Sequence, residues 1–218
     1  MATAARSRGE LVGLTGAIGS GKSKVAAYLA LMYNGVTRSF ASPLKQIAIS
    51  FGFTESQIYG TQEQKKEINE LWGISGREFM QKLGTEVFRE SVPQIIPQMC
   101  NPWRRIMEAK AQKLINDGTF VIVDDVRFID EAIMITQLKG VLIRIVRDNP
   151  VNNELDQTKD ALIKESSIKL HASEQQDFAV NFTIINNGTL NELYDQIDKI
   201  MATLDMYAYL PRSHRDIY

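Results

Sequence analysis

The sequence has little cysteine and histidine, and it lacks a long apolar run. Cys100 is the only cysteine, and the 218 residues include two histidines. A single cysteine excludes an intrachain disulfide and a zinc site built from cysteines, and it favours a reducing compartment. The longest apolar run, residues 25–33, is far shorter than the roughly 20 residues that a membrane span requires. We therefore expect a cytoplasmic protein without a membrane partner.

An excess of charge of one sign is also missing. The 25 lysines and arginines nearly balance the 26 aspartates and glutamates, so the formal net charge is −1. General binders of polymeric nucleic acid are strongly basic, so we expect no such partner, although a local basic pocket remains compatible with this balance. The length of 218 residues and the hydrophobic fraction of 44% fit one medium-sized domain with its own core. We place that domain at residues 10–206, with terminal tails at 1–9 and 207–218.

Short apolar segments alternate with helical patterns along the chain. Strands are predicted at 10–15, 36–40, 119–123, 141–146 and 182–185. Helices are predicted at 22–33, 42–51, 102–116, 130–138 and 190–204. This alternation predicts an α/β fold in which helices flank a parallel core sheet.

Two helix starts are indicated by capping signals. Ser42 and Pro43 are typical of a cap residue followed by a proline at the first helical position. Ser75 with Glu78 three residues later forms a capping-box pattern, which predicts another helix. The apolar side of that helix would consist of Phe79, Leu83, Val87 and Phe88.

A glycine-rich segment joins the first strand to the first helix. Gly16-Ala-Ile-Gly-Ser-Gly-Lys-Ser23 matches the pattern G-x-x-x-x-G-K-[ST]. Its glycines let backbone N–H groups turn toward phosphate oxygens, and the helix adds its positive N-terminus. Lys22 would reach the β- and γ-phosphates as a catalytic residue, and the Ser23 hydroxyl would ligate Mg²⁺. The predicted ATP-binding residues are Gly16, Ala17, Ile18, Gly19, Ser20, Gly21, Lys22 and Ser23.

A phosphate loop alone does not define an activity, because kinases, GTPases, motors and remodelling ATPases share it. The chain is short for a motor or an oligomeric remodelling module, and it contains no Asn-Lys-x-Asp stretch for recognising guanine. A small-molecule kinase is the leading interpretation. Such an enzyme needs a second set of cations for its acceptor, which we look for in a helical region at about 42–117.

Three side chains of that helical region are candidate acceptor contacts. Lys45 lies one turn into the helix that follows the second strand, where ligands of open α/β sheets bind. Arg77 and Gln81 are four residues apart and share a helix face. Arg77 could hold a phosphate bidentately, and Gln81 could read a base edge. The alternative for each is an ordinary solvated surface side chain.

The segment Asp124-Asp125-Val126-Arg127 follows the apolar run 119–123. A carboxylate at the end of a buried strand is typical of a group that orients Mg²⁺ or its waters, a role we assign to Asp125. Arg127 would stand beside the transferring phosphate and the acceptor. A buried structural Asp–Arg pair is the alternative.

The polar segment 148–176 lacks a core pattern and is predicted to be a mobile lid. Arg144 and Arg147 lead into it, and they face opposite sides if the strand continues through both. Arg147 is the candidate lid arginine that neutralises charge as the phosphoryl group moves. Glu174 is a candidate hydrogen-bond acceptor for the acceptor molecule, with a solvated surface carboxylate as its alternative.

Taken in order, several motifs resemble one family. They are Leu14-Thr-Gly-Ala-Ile-Gly-Ser-Gly-Lys-Ser23, Ser39-Phe-Ala-Ser-Pro-Leu-Lys45, Arg77 with Gln81, Leu83-Gly-Thr85 and Arg89, Asp125-Val-Arg-Phe with Glu131, and His171-Ala-Ser-Glu174. Over residues 10–204 the chain resembles bacteriophage-type deoxynucleoside monophosphate kinases. The helix 77–89 and the Asp-Val-Arg-Phe segment are the more diagnostic parts.

This resemblance implies a P-loop kinase fold with a nucleotide-binding subdomain and a lid, acting in a host cytoplasm. It implies the reaction of ATP and a deoxynucleoside monophosphate to ADP and a deoxynucleoside diphosphate, with Mg²⁺. The acceptor site would contain Lys45, Arg77, Gln81, Asp125 and Arg127. Some relatives carry Asp where this chain has Ser23 and Ser42, which leaves the metal arrangement and one sugar or base contact open.

Two other functions remain open from the sequence. A dephospho-coenzyme A kinase has a similar opening over 11–23, although its acceptor is a sugar hydroxyl. A regulatory protein that uses ATP as a switch would need no separate acceptor cations. The oligomeric state is also open, since the tail 207–218 is either a frayed end or a homodimer contact.

Overall fold

The computed structural model describes residues 10–147 and 178–204, which belong to two compact units. The helical unit is Ser39–Lys110, and the sheet unit combines the chain up to Arg38 with the chain from Ala111 onward. The predicted lid at 148–176, Glu174 within it and the predicted tails lie outside the described residues. The single domain at 10–206 stays a prediction.

Five strands of the described chain form one parallel sheet in the sheet unit. They are β1 Leu11–Thr15, β2 Val36–Arg38, β3 Val121–Val123, β4 Val141–Val146 and β5 Phe182–Ile185. Their order is β2-β3-β1-β4-β5, and Val12 of the central strand pairs with Ile122 on one side and Val141 on the other. The predicted parallel sheet is confirmed, with β2 and β3 shorter than the apolar runs that predicted them.

The α-helices in the part of the chain that the structure describes follow in chain order. They are α1 Lys22–Met32, α2 Ser42–Ser50, α3 Glu55–Tyr59, α4 Gly76–Gln81, α5 Val92–Ile95, α6 Pro102–Asn116, α7 Ile129–Gln137 and α8 Leu190–Thr203. None of the helices in residues 10–147 and 178–204 has the length and apolar character needed to cross a membrane.

Helices cover both faces of the sheet. On one face, Leu29 of α1 and Ile197 of α8 belong to the same buried cluster as Leu14. Successive strand residues point to opposite faces, so Gly13 faces the other side, and there Ile135 of α7 packs against it. A strand layer buried on both faces explains why β1, β3 and β4 are nearly continuous apolar runs.

A shared carboxylate joins the two helices of the first face. Asp198 of α8 accepts hydrogen bonds from the hydroxyls of Tyr28 and Tyr33, both at 2.7 Å. The rings of Tyr28 and Tyr194 stack with their centroids 3.9 Å apart. Because α1 begins directly after the glycine-rich segment, these contacts anchor the helix that presents that segment.

The helical unit differs from the sequence prediction at the start of α2. Ala41 rather than Ser42 occupies the cap position, and Ser42 and Pro43 are already the first helical residues. The Ser39 hydroxyl accepts the Ala41 N–H at 3.2 Å, so a serine one turn earlier stabilises this entry. The cap predicted at Ser75 is confirmed, since its hydroxyl accepts the backbone N–H of Glu78 at 3.2 Å.

A π-helix at Lys82–Ser91 continues α4 and was not expected from the sequence. π-helices are rare, usually single turns, and frequently occur at functional sites. The wider turn changes which residues face inward, so Gly84 and Thr85 are buried whereas Val87 is 40% exposed. The prediction that Val87 belongs to the apolar side, which assumed α-helical spacing, is therefore wrong.

The buried Trp103 of α6 stabilises this π-helix. Its indole N–H donates to the Gly84 carbonyl at 2.9 Å, and its ring lies 4.9 Å from the Phe88 ring. Leu44 packs so closely on Gly84 that a Cβ there would strike its side chain. Tertiary contacts thus favour a backbone form that local propensity does not indicate.

The polar stretch 52–74 contains a small hydrogen-bonded core. Gln57 accepts hydrogen bonds from the Thr54 N–H at 3.0 Å and from the Asn69 amide at 3.1 Å. The Asn69 amide also donates to the Gly52 carbonyl at 3.1 Å. Buried amides need such partners, and this network orders a segment whose sequence shows no periodicity.

Candidate functional site

The glycine-rich segment lies where the direction of the sheet connections changes. It follows the carboxyl end of β1, the strand with β3 on one side and β4 on the other. In open parallel α/β sheets, ligands bind at this point because the chain leaves neighbouring strands in opposite directions. The fold therefore places the predicted phosphate loop at the expected ligand position.

Three glycines of the loop need a backbone that other residues avoid. Gly16, Gly19 and Gly21 have φ angles of 144°, 81° and 109°. A Cβ at Gly16 would meet the Ile145 carbonyl, and one at Gly21 would meet the Asn186 amide. The glycines thus supply both the left-handed conformation and the close approach, as the motif requires.

The Lys22 ammonium closes the loop on itself. Its Nζ donates to the carbonyl of Gly16 at 2.7 Å and to that of Ala17 at 2.8 Å. Burial and the neighbouring Arg127 lower the pKa of Lys22 from 10.5 to about 8, against the opposite effect of Asp124 and Asp125. The structure therefore brings Arg127 and the two aspartates within electrostatic reach of Lys22.

The turn that carries Asp125 and Arg127 is held by backbone hydrogen bonds. The Val126 N–H donates to the Leu14 carbonyl at 3.1 Å, which attaches the turn to β1. The Glu131 carboxylate accepts the backbone N–H groups of Arg127 at 2.8 Å and Phe128 at 3.2 Å. Glu131 is only 2% exposed, so this first-turn carboxylate of α7 stabilises the turn from within.

Two residues that the sequence analysis gave no site role belong to this edge of the sheet. Arg38 ends β2, and its carbonyl accepts the Asp124 N–H at 3.2 Å. The Asp124 carboxylate raises the pKa of Lys22 more than the Asp125 carboxylate does. Two signals could have identified these residues. Arg38 is an arginine at the end of a strand, and Asp124 follows the strand that pairs with it.

Ser20 and Ser23 occupy different environments in the loop. Ser20 is 3% exposed, and its carbonyl accepts the Asn186 side-chain N–H at 2.8 Å. Ser23, in the first turn of α1, is exposed, as are Ala17, Ile18 and Gly19 of the loop. The Ser23 hydroxyl is therefore accessible to a ligand, as its predicted metal role requires.

Arg144 and Arg147 differ in their surroundings. The Arg144 guanidinium donates to the Phe178 carbonyl at 2.6 Å and lies 5.8 Å from the Phe178 ring centroid. β4 ends at Val146, so Arg147 follows the strand at the carboxyl edge and is exposed. Arg147 remains the candidate lid arginine.

Three of the acceptor candidates, Lys45, Arg77 and Gln81, lie in the helical unit. Arg77 and Gln81 lie one turn apart on α4, and the Arg77 guanidinium donates to the Gln62 side-chain carbonyl. The Lys45 ammonium on α2 lies 5.0 Å from the Tyr59 ring centroid. All three side chains are partly exposed, and the contacts of Arg77 and Lys45 are side-chain contacts that a ligand could displace.

Comparison with known proteins identifies the family. Residues 53–197, more than half of the chain, match the model of the deoxynucleotide monophosphate kinase family. A protein of Acanthamoeba polyphaga mimivirus that is provisionally named a deoxynucleotide monophosphate kinase is 34% identical over 197 residues, which cover 86% of this chain and 93% of that protein.

Solved structures with a similar arrangement are more distant. TT1252 from Thermus thermophilus has a TM-score of 0.48 at 16% identity, over 90% of this chain and 98% of that one. Thymidylate kinase from Candida albicans has a TM-score of 0.47 at 13% identity, over 91% and 93%. These scores lie below 0.5, so the assignment rests on the two sequence matches. On those matches, the chain belongs to the deoxynucleotide monophosphate kinase family and is a phosphotransferase.

Proposed function

We propose that this kinase transfers the γ-phosphoryl group of ATP to a deoxynucleoside monophosphate and releases ADP and a deoxynucleoside diphosphate. The observation that carries the proposal is the phosphate loop at the carboxyl end of β1, with Lys22 within electrostatic reach of Arg127, Asp124 and Asp125. Cations and carboxylates from the glycine-rich loop and the turn after β3 match what phosphoryl transfer needs, which is positioning of the nucleotides and neutralisation of charge.

On the donor side, the loop backbone would hold the phosphates of ATP. The N–H groups of the loop and the start of α1 attract anions, and the Lys22 ammonium would contact the β- and γ-phosphates. That ammonium bonds two loop carbonyls, so it is held at the loop. A pKa of about 8 leaves Lys22 mostly charged at neutral pH.

A divalent cation fits the oxygen groups of this edge. Mg²⁺ prefers hard oxygen ligands and is commonly bound by one or two carboxylates together with substrate phosphates. Ser23 and Asp125, with Asp124 as an additional carboxylate, would hold it there, and it would supply charge neutralisation between the β- and γ-phosphates. Among residues 10–147 and 178–204, no group of three or more acidic, histidine or cysteine side chains forms a metal cage without substrate.

On the acceptor side, the roles follow from the side chains. Arg77 and Lys45 would bind the acceptor phosphate, and Gln81 would read a base edge. Arg127 and Arg147 would neutralise the charge that develops during transfer, a contribution that resembles an oxyanion hole. Because the attacking atom is already a phosphate oxygen, no strong general base and no covalent intermediate are required. Glu174, a further acceptor contact in this proposal, lies outside the described residues.

The test is a coupled assay for ADP release with ATP, Mg²⁺ and each deoxynucleoside or ribonucleoside monophosphate in turn. The proposal expects turnover with at least one deoxynucleoside monophosphate and a metal requirement that EDTA reveals. No turnover with any of them, together with turnover of dephospho-coenzyme A, would overturn it. ATP binding without acceptor-dependent turnover would instead indicate a nucleotide switch.

A further inference from the structure

Asn186 joins the end of the sheet to the phosphate loop. It follows β5, and its backbone N–H donates to the Val146 carbonyl at 2.7 Å, which extends the β4–β5 pairing by one residue. Its side-chain Nδ2 donates to the Ser20 carbonyl at 2.8 Å. The same amide is the nearest neighbour of the position that a Cβ on Gly21 would occupy. The side chain of Asn186 therefore packs directly on the Ser20–Gly21 peptide.

The direction of that peptide decides where one loop donor points. In a planar trans peptide, the carbonyl and the following N–H point in opposite directions. When Asn186 holds the Ser20 carbonyl on its own side, the Gly21 N–H is turned to the other side. Gly21 is also the cap of α1, at a φ of 109°, so its N–H belongs to the unpaired donors of a helix start.

The loop carbonyls are thus held by two different groups. The Lys22 ammonium bonds the carbonyls of Gly16 and Ala17, and the Asn186 amide bonds the carbonyl of Ser20. Lys22 is a group that phosphate would attract, whereas a neutral amide has no net charge for phosphate to attract. Asn186 can therefore maintain its bond while a nucleotide binds.

We propose that Asn186 is a positioning residue of the phosphate loop, which keeps the Gly21 N–H group turned toward the phosphates of the nucleotide. This inference rests on the proposed function, since it assumes that the loop binds ATP. The ligand class that Asn186 serves is the polyphosphate, independent of the base. A purely structural contact of β5 would lack that selectivity.

The test compares ligands with and without phosphates on the full chain. In Asn186→Ala, the Gly21 N–H group should lose its hydrogen bond to the phosphates. The Kd of ATP and of inorganic tripolyphosphate should therefore each rise about tenfold, as expected when one hydrogen bond to a charged group is lost. The Kd of adenosine, which has no phosphate, should stay unchanged. Titration calorimetry or competition with a fluorescent nucleotide measures all three.

Asn186→Asp keeps the size and the backbone N–H of the residue, so it provides the test even if the alanine variant fails to fold. A carboxylate cannot donate to the Ser20 carbonyl and adds negative charge beside the phosphates, so polyphosphate affinity should fall at least as far as in Asn186→Ala. The matched control is Asn191→Ala, an exposed asparagine on α8, which should leave all three dissociation constants unchanged.

The failures of the two proposals are distinguishable. If the unmodified chain binds neither ATP nor tripolyphosphate, the proposed function fails. If it binds both, and folded Asn186 variants bind them with unchanged affinity, only the role of Asn186 is overturned. Equal weakening of adenosine and tripolyphosphate would also overturn it, because that pattern indicates a general structural defect.

Discussion

The sheet unit and the helical unit hold their candidate residues in different ways. In the sheet unit, backbone groups hold the site: Lys22 bonds two loop carbonyls, and Glu131 bonds two N–H groups beside Arg127. In the helical unit, Arg77 contacts the Gln62 side chain, and Lys45 lies over a tyrosine ring. Backbone-held groups are organised before a ligand arrives, whereas side-chain contacts can be exchanged for a ligand. Under the proposed function, this difference would suit a donor site in the sheet unit that takes one triphosphate and acceptor contacts in the helical unit that adapt to the substrate.

The largest expected effect tests the backbone-held side of this comparison. Lys22→Ala should lower turnover by about 1,000-fold, the scale seen when a donor to developing transition-state charge is removed. The thermal midpoint should stay close to that of the unmodified chain, since Lys22 is partly exposed. Lys24→Ala, an exposed neighbour on α1, is the control and should retain activity. Unchanged turnover in Lys22→Ala would contradict the assignment.

Arg77→Ala tests the side that is held by side-chain contacts. Loss of a charged hydrogen-bond donor to the acceptor phosphate should raise the acceptor KM about 10- to 100-fold and leave the ATP KM unchanged. Steady-state kinetics with each substrate varied in turn measures the split. Lys82→Ala is the matched control, because Lys82 makes a surface ion pair with Glu78 at 2.8 Å, which contributes little. A selective rise of the ATP KM would contradict this assignment, because it would indicate that Arg77 contacts ATP and not the acceptor.

The two tryptophans test how strongly the π-helix depends on its buried contact. Trp103→Phe leaves the Gly84 carbonyl without its indole donor and should lower the free energy of unfolding by about 1–2 kcal/mol. Trp72→Phe removes the bond from a half-exposed indole to the Phe51 carbonyl, where water can replace the donor, so its effect should be smaller. Urea denaturation followed by circular dichroism measures both. Equal losses would show that burial of the donor does not matter here.

The smallest effect concerns the pH dependence of ATP binding. Because burial and Arg127 lower the pKa of Lys22 to about 8, its ammonium should lose its proton at a lower pH than an ordinary lysine does. Bound phosphates favour the charged form, so binding should take up a proton and weaken about five- to tenfold between pH 7.5 and 9. Titrations in buffers of different ionisation enthalpy detect the uptake.

Lys22→Met has no titratable group at this position. It should bind ATP weakly, with an affinity that does not change between about pH 7.5 and 9. A profile that is equally steep in the variant would assign the titration to another group.

Much of the sheet unit could be predicted from local patterns. The strands β1, β4 and β5 and the helix α8 agree with the apolar runs and breaks in the sequence, and the glycine-rich segment lies where its motif required. The strands are short apolar runs and the helix has a helical hydrophobic period, so the local pattern indicates the type of each element directly. The helical unit was harder, because residues 52–74 are ordered by the Gln57–Asn69 hydrogen bond and a small cluster around Phe53 and Ile58 rather than by a periodic apolar stripe.

The candidate site could be predicted only at side chains whose proposed role is direct contact with a ligand. Lys22, Arg127 and Arg77 stand out by charge and motif. Asn186 and Arg38 support backbone groups of other segments, and nothing near them in the sequence indicates which segment that is. The Asn186 amide meets Ser20 from a position 166 residues away along the chain.

The sequence by itself indicated the parallel α/β architecture and the position of the glycine-rich motif, because each depends on residue types at short, regular spacings, and its motifs taken together resembled the kinase family. Only the tertiary structure decided the π-helix at Lys82–Ser91, the order of the strands around β1 and the partners of the loop carbonyls. The physical reason is the range of the interactions involved. Local patterns encode which face of an element is apolar, whereas strand order and backbone support depend on contacts between distant segments that form only on folding.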